Sequence, residues 1–149
     1  MEDIKEMRSL VEKAKREEVK AFNEMTSDEE TAREQQMQLD TCITYREECL
    51  SGMKNAGQSG LSVVQVRECQ LLVKYLDSVV ETRQYKADIS NDSFEKSEKA
   101  WKKKNEHYIN LKEQLKQREI EERERRENQM VGGEDSTSAA AEKKKAFNK

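Results

Sequence analysis

The sequence predicts an all-α protein, a long antiparallel two-helix coiled-coil hairpin. Three observations carry this. Heptad-spaced apolar stripes run along both halves of the chain. The 149 residues contain no proline. A single pattern-free stretch, Lys54-Asn55-Ala56-Gly57-Gln58-Ser59-Gly60-Leu61, separates the two stripes and reads as the tip of a helical hairpin. Composition agrees: 40% charged, 34% hydrophobic and 5% aromatic residues are too polar a mixture for an ordinary globular core. A coiled coil buries only a narrow stripe and leaves the rest charged, and absence of proline leaves long helices uninterrupted.

The first helix is expected over 4–53, the turn over 54–62 and the second helix over 63–128, so that 1–130 is coiled coil. The early seam of the first helix is Ile4, Met7, Val11, Ala14, Glu18, Ala21 and Met25, at alternating steps of three and four. From Phe22 the stripe continues through Met25, Ala32, Gln36, Leu39, Ile43, Leu50 and Met53. Polar residues between Glu24 and Gln38 predict a loosely packed or bowed stretch. At about 1.5 Å per residue this helix is about 75 Å long.

The second helix has a clear start. Ser62 is a good N-cap and Gln65, three residues on, completes a capping box; Leu61 and Val66 hold the staple positions. Its stripe is Val66, Cys69, Val73, Leu76, Val80, Ala87, Phe94, Trp101, Tyr108, Leu111 and Leu115, interrupted by Arg83, Ser90, Ser97 and Lys104. Such a stripe needs a partner seam, and the nearest is the first helix folded back antiparallel. Folding about the turn sets Leu39 near Leu76 and Phe22 near Phe94, with the C-terminal end of the second helix overhanging. Charge suits this pairing: residues 1–35 carry 11 acidic and 7 basic side chains, residues 94–126 carry 8 and 11. Each exposed pair contributes at most about 1 kcal/mol, but together they favour the antiparallel alignment. Gly132-Gly133 is expected to end the second helix, and the small, polar composition of 131–149 predicts a disordered, solvated tail.

Several function classes are excluded. A net charge of −3 gives no case for nucleic acid. No apolar run reaches the roughly 18 residues of a membrane span, and Met1-Glu2-Asp3 opens no signal peptide. Cys42, Cys49 and Cys69 lack metal-site spacing and read as free thiols in a reducing cytoplasm. No phosphate-binding loop or zinc motif occurs, and the lone His107 lacks a ligand or triad partner and is expected to sit exposed beside Tyr108. No catalysis, cofactor or small-molecule substrate is expected of a two-helix coil without a cleft.

What stands out is apolar surface that one seam does not need. Cys42, Tyr45 and Cys49 form a stripe offset from Leu39, Ile43 and Leu50. On the second helix Leu72, Leu76, Val79 and Arg83 form a matching run. Either these residues face a partner or third helix, or helix drift widens the seam and half-buries them.

At these residues the chain resembles the flagellar export chaperone FliJ family, over about residues 1–128. The resemblance covers Gln38-Leu39, Ile43-x-Tyr45-Arg46-x-Glu48, the glycine-containing turn, Leu71-Leu72-x-x-x-Leu76 and Trp101-Lys102-x-Lys104. It implies an antiparallel two-helix coil similar to the central stalk subunit of rotary ATP synthases. It implies a terminal half that docks in the flagellar export ATPase hexamer (FliI) and a turn-proximal half that reaches the cytoplasmic domain of the export gate protein (FlhA), coupling ATP hydrolysis to export and handling export chaperones. Such a protein is cytoplasmic and peripherally associated with the inner membrane at the export apparatus. The implied gate-facing residues are Gln38, Cys42, Tyr45, Cys49, Leu72, Leu76, Val79 and Arg83. Cys49 and Leu72 stand where members often carry aromatics, which shrinks the apolar contact. The alternatives are the equivalent stalk of a virulence type III injectisome and a generic self-associating coiled coil.

Overall fold

The computed structural model describes the backbone of residues 2–55 and 60–147 and the side chains of 3–55 and 60–132; Ala56 to Ser59 lie outside the described residues. Among the described residues the fold is two long helices, α1 (Glu2–Lys54) and α2 (Val63–Phe147), packed against each other as an antiparallel hairpin. Threonines fit inside both helices because their hydroxyls bond the preceding turn. Thr26, Thr31, Thr41 and Thr82 each donate to the carbonyl four residues back, at 2.9–3.2 Å.

The entry to α2 is fixed by the reciprocal bonds of a capping box. The Ser62 amide donates to Gln65 Oε1 at 2.9 Å, and the Gln65 amide donates to Ser62 Oγ at 3.2 Å. Just before it, Gly60 takes a left-handed φ of 73°, which an L side chain would strain. At the far end α2 continues to Phe147, past Asn128, where the sequence places its end. Gly132 does not take the positive φ that a helix-ending glycine adopts. A glycine inside a helix costs about 1 kcal/mol without forbidding it, and Ala139-Ala140-Ala141 beyond it are strong helix formers. From residue 133 on, the side chains of the expected tail lie outside the described residues.

The chain divides into two compact units. The terminal unit joins Met1–Glu18 to Lys104–Lys149, and the tip unit is Val19–Lys103. In the terminal unit Met7, Ala14 and Glu18 are buried, and Glu18 is paired with Lys15 at 3.1 Å. Arg8 donates through Nε and Nη2 to Glu119, both at 3.1 Å, and Arg118 pairs with Asp3 and Lys104 with Glu17. The Lys15 ammonium lies 4.9 Å from the Tyr108 ring centre. Lys104, expected on the seam, is exposed, and Asn105 is half-buried in its place.

In the tip unit Ala32, Leu39, Leu76 and Ala87 are buried. Phe22 and Trp101 rings sit 5.9 Å apart at 60°, Ser97 donates to the Asp28 carboxylate, and Arg46 pairs with Asp77 at 3.4 Å. The α2 seam follows the predicted stripe, with Arg83, Ser90 and Ser97 half-buried at the polar interruptions.

Two expectations are corrected here. The first is register. Leu39 beside Leu76 and Phe22 beside Phe94 would give residue numbers adding to 115 and 116, whereas the observed tip-unit pairs add to 121–125. The partner of Phe22 is Trp101, one heptad beyond Phe94. A one-heptad slide keeps every seam residue facing the seam, so apolar spacing alone hardly discriminates between registers. Polar cross-links decide it. The second is the α1 seam after Ala32. Gln36 and Leu50 are exposed, and Gln35, Cys42, Arg46 and Cys49 take the interior positions. The alternation of three and four that starts at Ile4 simply continues; helix geometry prevails over the apolar character of Leu50. The cost is visible, because Gln35 Oε1 and Arg46 Nε are buried with no hydrogen-bond partner among the described residues.

Candidate partner interface

All eight gate-facing candidates lie in the tip unit, four on each helix. Arg83 Nη1 donates to Gln38 Oε1 across the seam, and these two residue numbers add to 121. The same sum joins Cys42 to Val79, Tyr45 to Leu76 and Cys49 to Leu72. Observed sums of 121–125 in this unit put the four residues of α1 and the four of α2 at about the same height along the hairpin. In the register expected from the turn they would be staggered by about a heptad, so the structure assembles a set that the sequence-based pairing would have left apart.

Their exposure is uneven. Leu76 is buried, and Gln38, Cys42, Cys49, Leu72, Val79 and Arg83 are half-buried. Tyr45, at 48% exposed, is the member that stands out from the surface. Cys42 and Cys49 do not form a stripe separate from the seam; they are seam residues whose edges show. Leu72 and Val79 flank the α2 seam, as a widened seam requires. This surface is a half-buried seam edge with one projecting phenol ring, near the Arg46–Asp77 pair. A phenol of this kind offers an apolar body and a polar tip to a partner.

The sequence reading missed a second surface. Leu71, Tyr75 and Tyr85 are 64–69% exposed on α2, and Val64 and Ile89 are exposed with them. At 100° per residue they fall roughly 200° around α2 from the seam, on its outer side. Their signal was present as the steps 71, 75, 78, 82, 85, 89, a second run of fours and threes. It was overlooked because the stronger stripe claimed the heptad.

Among the described residues no group of three or more His, Cys, Asp or Glu is placed to hold a metal, and no helix is long and apolar enough to cross a membrane. The three cysteines are free and half-buried, and His107 is exposed.

Fold and surface together describe a coiled-coil hairpin whose distinctive feature is apolar surface toward its turn. A family model described as Flagellar FliJ protein matches residues 4–131, and the chain belongs to that family of flagellar export components. No curated protein and no solved structure matches it significantly.

Proposed function

We propose that this chain is a non-catalytic coupling component of flagellar type III export. Its terminal unit docks in the ring of the export ATPase, and its tip unit contacts the cytoplasmic domain of the membrane export gate. It also receives export chaperones, and works in the cytoplasm against the inner membrane. Family membership supports the setting. The observation that supports the gate contact is the Gln38–Arg83 bond, which brings stretches 38–49 and 72–83 alongside each other, together with the exposed Tyr45. The resemblance drew these eight residues from two stretches, 38–49 and 72–83, with 22 residues between them, and the observed register brings the two stretches alongside each other. The mixed acidic and basic pairs of the terminal unit suit a charged pore lining, which offers complementary partners without demanding one sign.

The test is a pair of pull-downs with purified ATPase and purified gate domain. Tyr45→Ala is expected to weaken gate capture by about tenfold, the cost of one aromatic anchor, and to leave ATPase capture unchanged. Full gate capture by Tyr45→Ala overturns the tip assignment. The flagellar family match favours this setting over a virulence injectisome.

A further inference from the structure

The outer side of α2 in the tip unit carries a pattern that neither the hairpin nor the gate contact uses. Leu71, Tyr75, Ser78, Thr82, Tyr85 and Ile89 follow one another at steps of four and three, all exposed and none charged, in a chain that is 40% charged. The Thr82 hydroxyl is occupied by the Ser78 carbonyl at 3.2 Å. This is the spacing of a coiled-coil seam. One heptad further toward the turn, Val64 continues it.

The flanks of the stripe say what covers it. Along one edge, at strict intervals of seven, stand Arg67, Lys74, Glu81 and Asp88, all exposed. None of the four is ion-paired among the described residues; Asp88 accepts only a hydrogen bond from Gln84 at 3.0 Å. Two positive charges precede two negative ones, so the edge is complementary to itself turned end for end. We propose that two copies of this chain pair through this face, α2 against α2, antiparallel about a two-fold axis.

One register satisfies every position. With layer residues whose numbers add to 153, Leu71 meets Thr82, Tyr75 meets Ser78 and Val64 meets Ile89, each twice by symmetry. Glu68 then falls opposite Tyr85, whose hydroxyl can donate to the carboxylate. In that same register the charged edge pairs Arg67 with Asp88 and Lys74 with Glu81. The other edge pairs Leu72 with Val79, covering the parts of both that the hairpin leaves exposed, and Gln65 with Lys86. A parallel arrangement would instead set Arg67 against Leu72 and Lys74 against Val79, charge against aliphatic surface. The polar Ser78 and Thr82 in the central layers make the pairing reversible, at micromolar concentrations. Because Leu72 and Val79 also belong to the proposed gate surface, pairing would cover part of it. The dimer does not depend on that assignment.

Sedimentation velocity over about 5 to 300 μM tests this, the range in which a micromolar dissociation constant becomes visible. The wild-type chain is expected to pass from monomer to dimer. Leu71→Glu, at a site 69% exposed, should stay monomeric with unchanged helicity. Lys74→Glu turns two attractions into repulsions and should weaken the dimer about tenfold, and adding Glu81→Lys should restore it to within about twofold. Tyr45→Ala, on the other helix, should leave it intact even where gate capture is weakened. A wild-type monomer throughout the range overturns the proposal. So does a dimer that tolerates Leu71→Glu, or a charge reversal that the second substitution fails to rescue.

Discussion

Leu39 is 2% exposed and Ala87 is fully buried, yet sequence spacing weights every residue of a stripe equally. Packing does not. Leu39→Ala should cost about 2–4 kcal/mol in urea unfolding, because little around it can collapse into the space. Leu50, which the apolar pattern puts in the seam, is 43% exposed, and Leu50→Gln should change stability by no more than about 0.5 kcal/mol. Gln35→Leu should raise stability by about 1 kcal/mol, since it replaces an unpartnered buried oxygen with apolar surface. An unfolding midpoint lowered as much by Leu50→Gln as by Leu39→Ala would show that the seam follows chemistry and not helix geometry. The early α1 seam and the whole apolar stripe of α2 were legible because hydrophobicity and period agree there. After Ala32 they disagree: Gln35, Arg46 and two cysteines hold interior positions, and only strict counting from Ile4 recovers them.

Between the helices, what was legible was local. The capping box at Ser62 and Gln65 needs four residues of sequence and no knowledge of the fold, and its bonds are present. Ser62→Ala should cost about 1 kcal/mol, read as a shift in the denaturation midpoint at constant slope. The end of α2 was misread because glycine is a frequent stop and not an obligatory one. Register was not legible at all, since a slide of seven residues preserves the seam. Its determinants are long-range: the Gln38–Arg83 bond, Ser97 on Asp28, and Phe22 against Trp101. Cysteine pairs in a background lacking the three native cysteines check this. Gln38→Cys with Arg83→Cys should oxidise to an intramolecular disulfide more readily than Leu39→Cys with Leu76→Cys, whose positions are about a heptad out of the observed register. The opposite result would restore the symmetric fold about the turn.

For the molecule as a whole, the two proposed contacts rest on two different faces of the tip unit. One is the edge of the seam on which Tyr45 projects; the other is the outer side of α2, where Tyr75 and Tyr85 stand clear. The first was found through family resemblance and becomes coherent only in the observed register. The second is carried by spacing and charge alone. Family membership places the chain in flagellar export, and the proposed contact with the gate rests on the first face. The most direct measurement is the calorimetric affinity of the full chain for the purified cytoplasmic domain of the export gate, comparing Tyr45→Ala with Tyr85→Ala at concentrations where the chain is monomeric. Binding about tenfold weaker for Tyr45→Ala and unchanged for Tyr85→Ala is the predicted result. Equal affinities for both variants and the wild-type chain would contradict it.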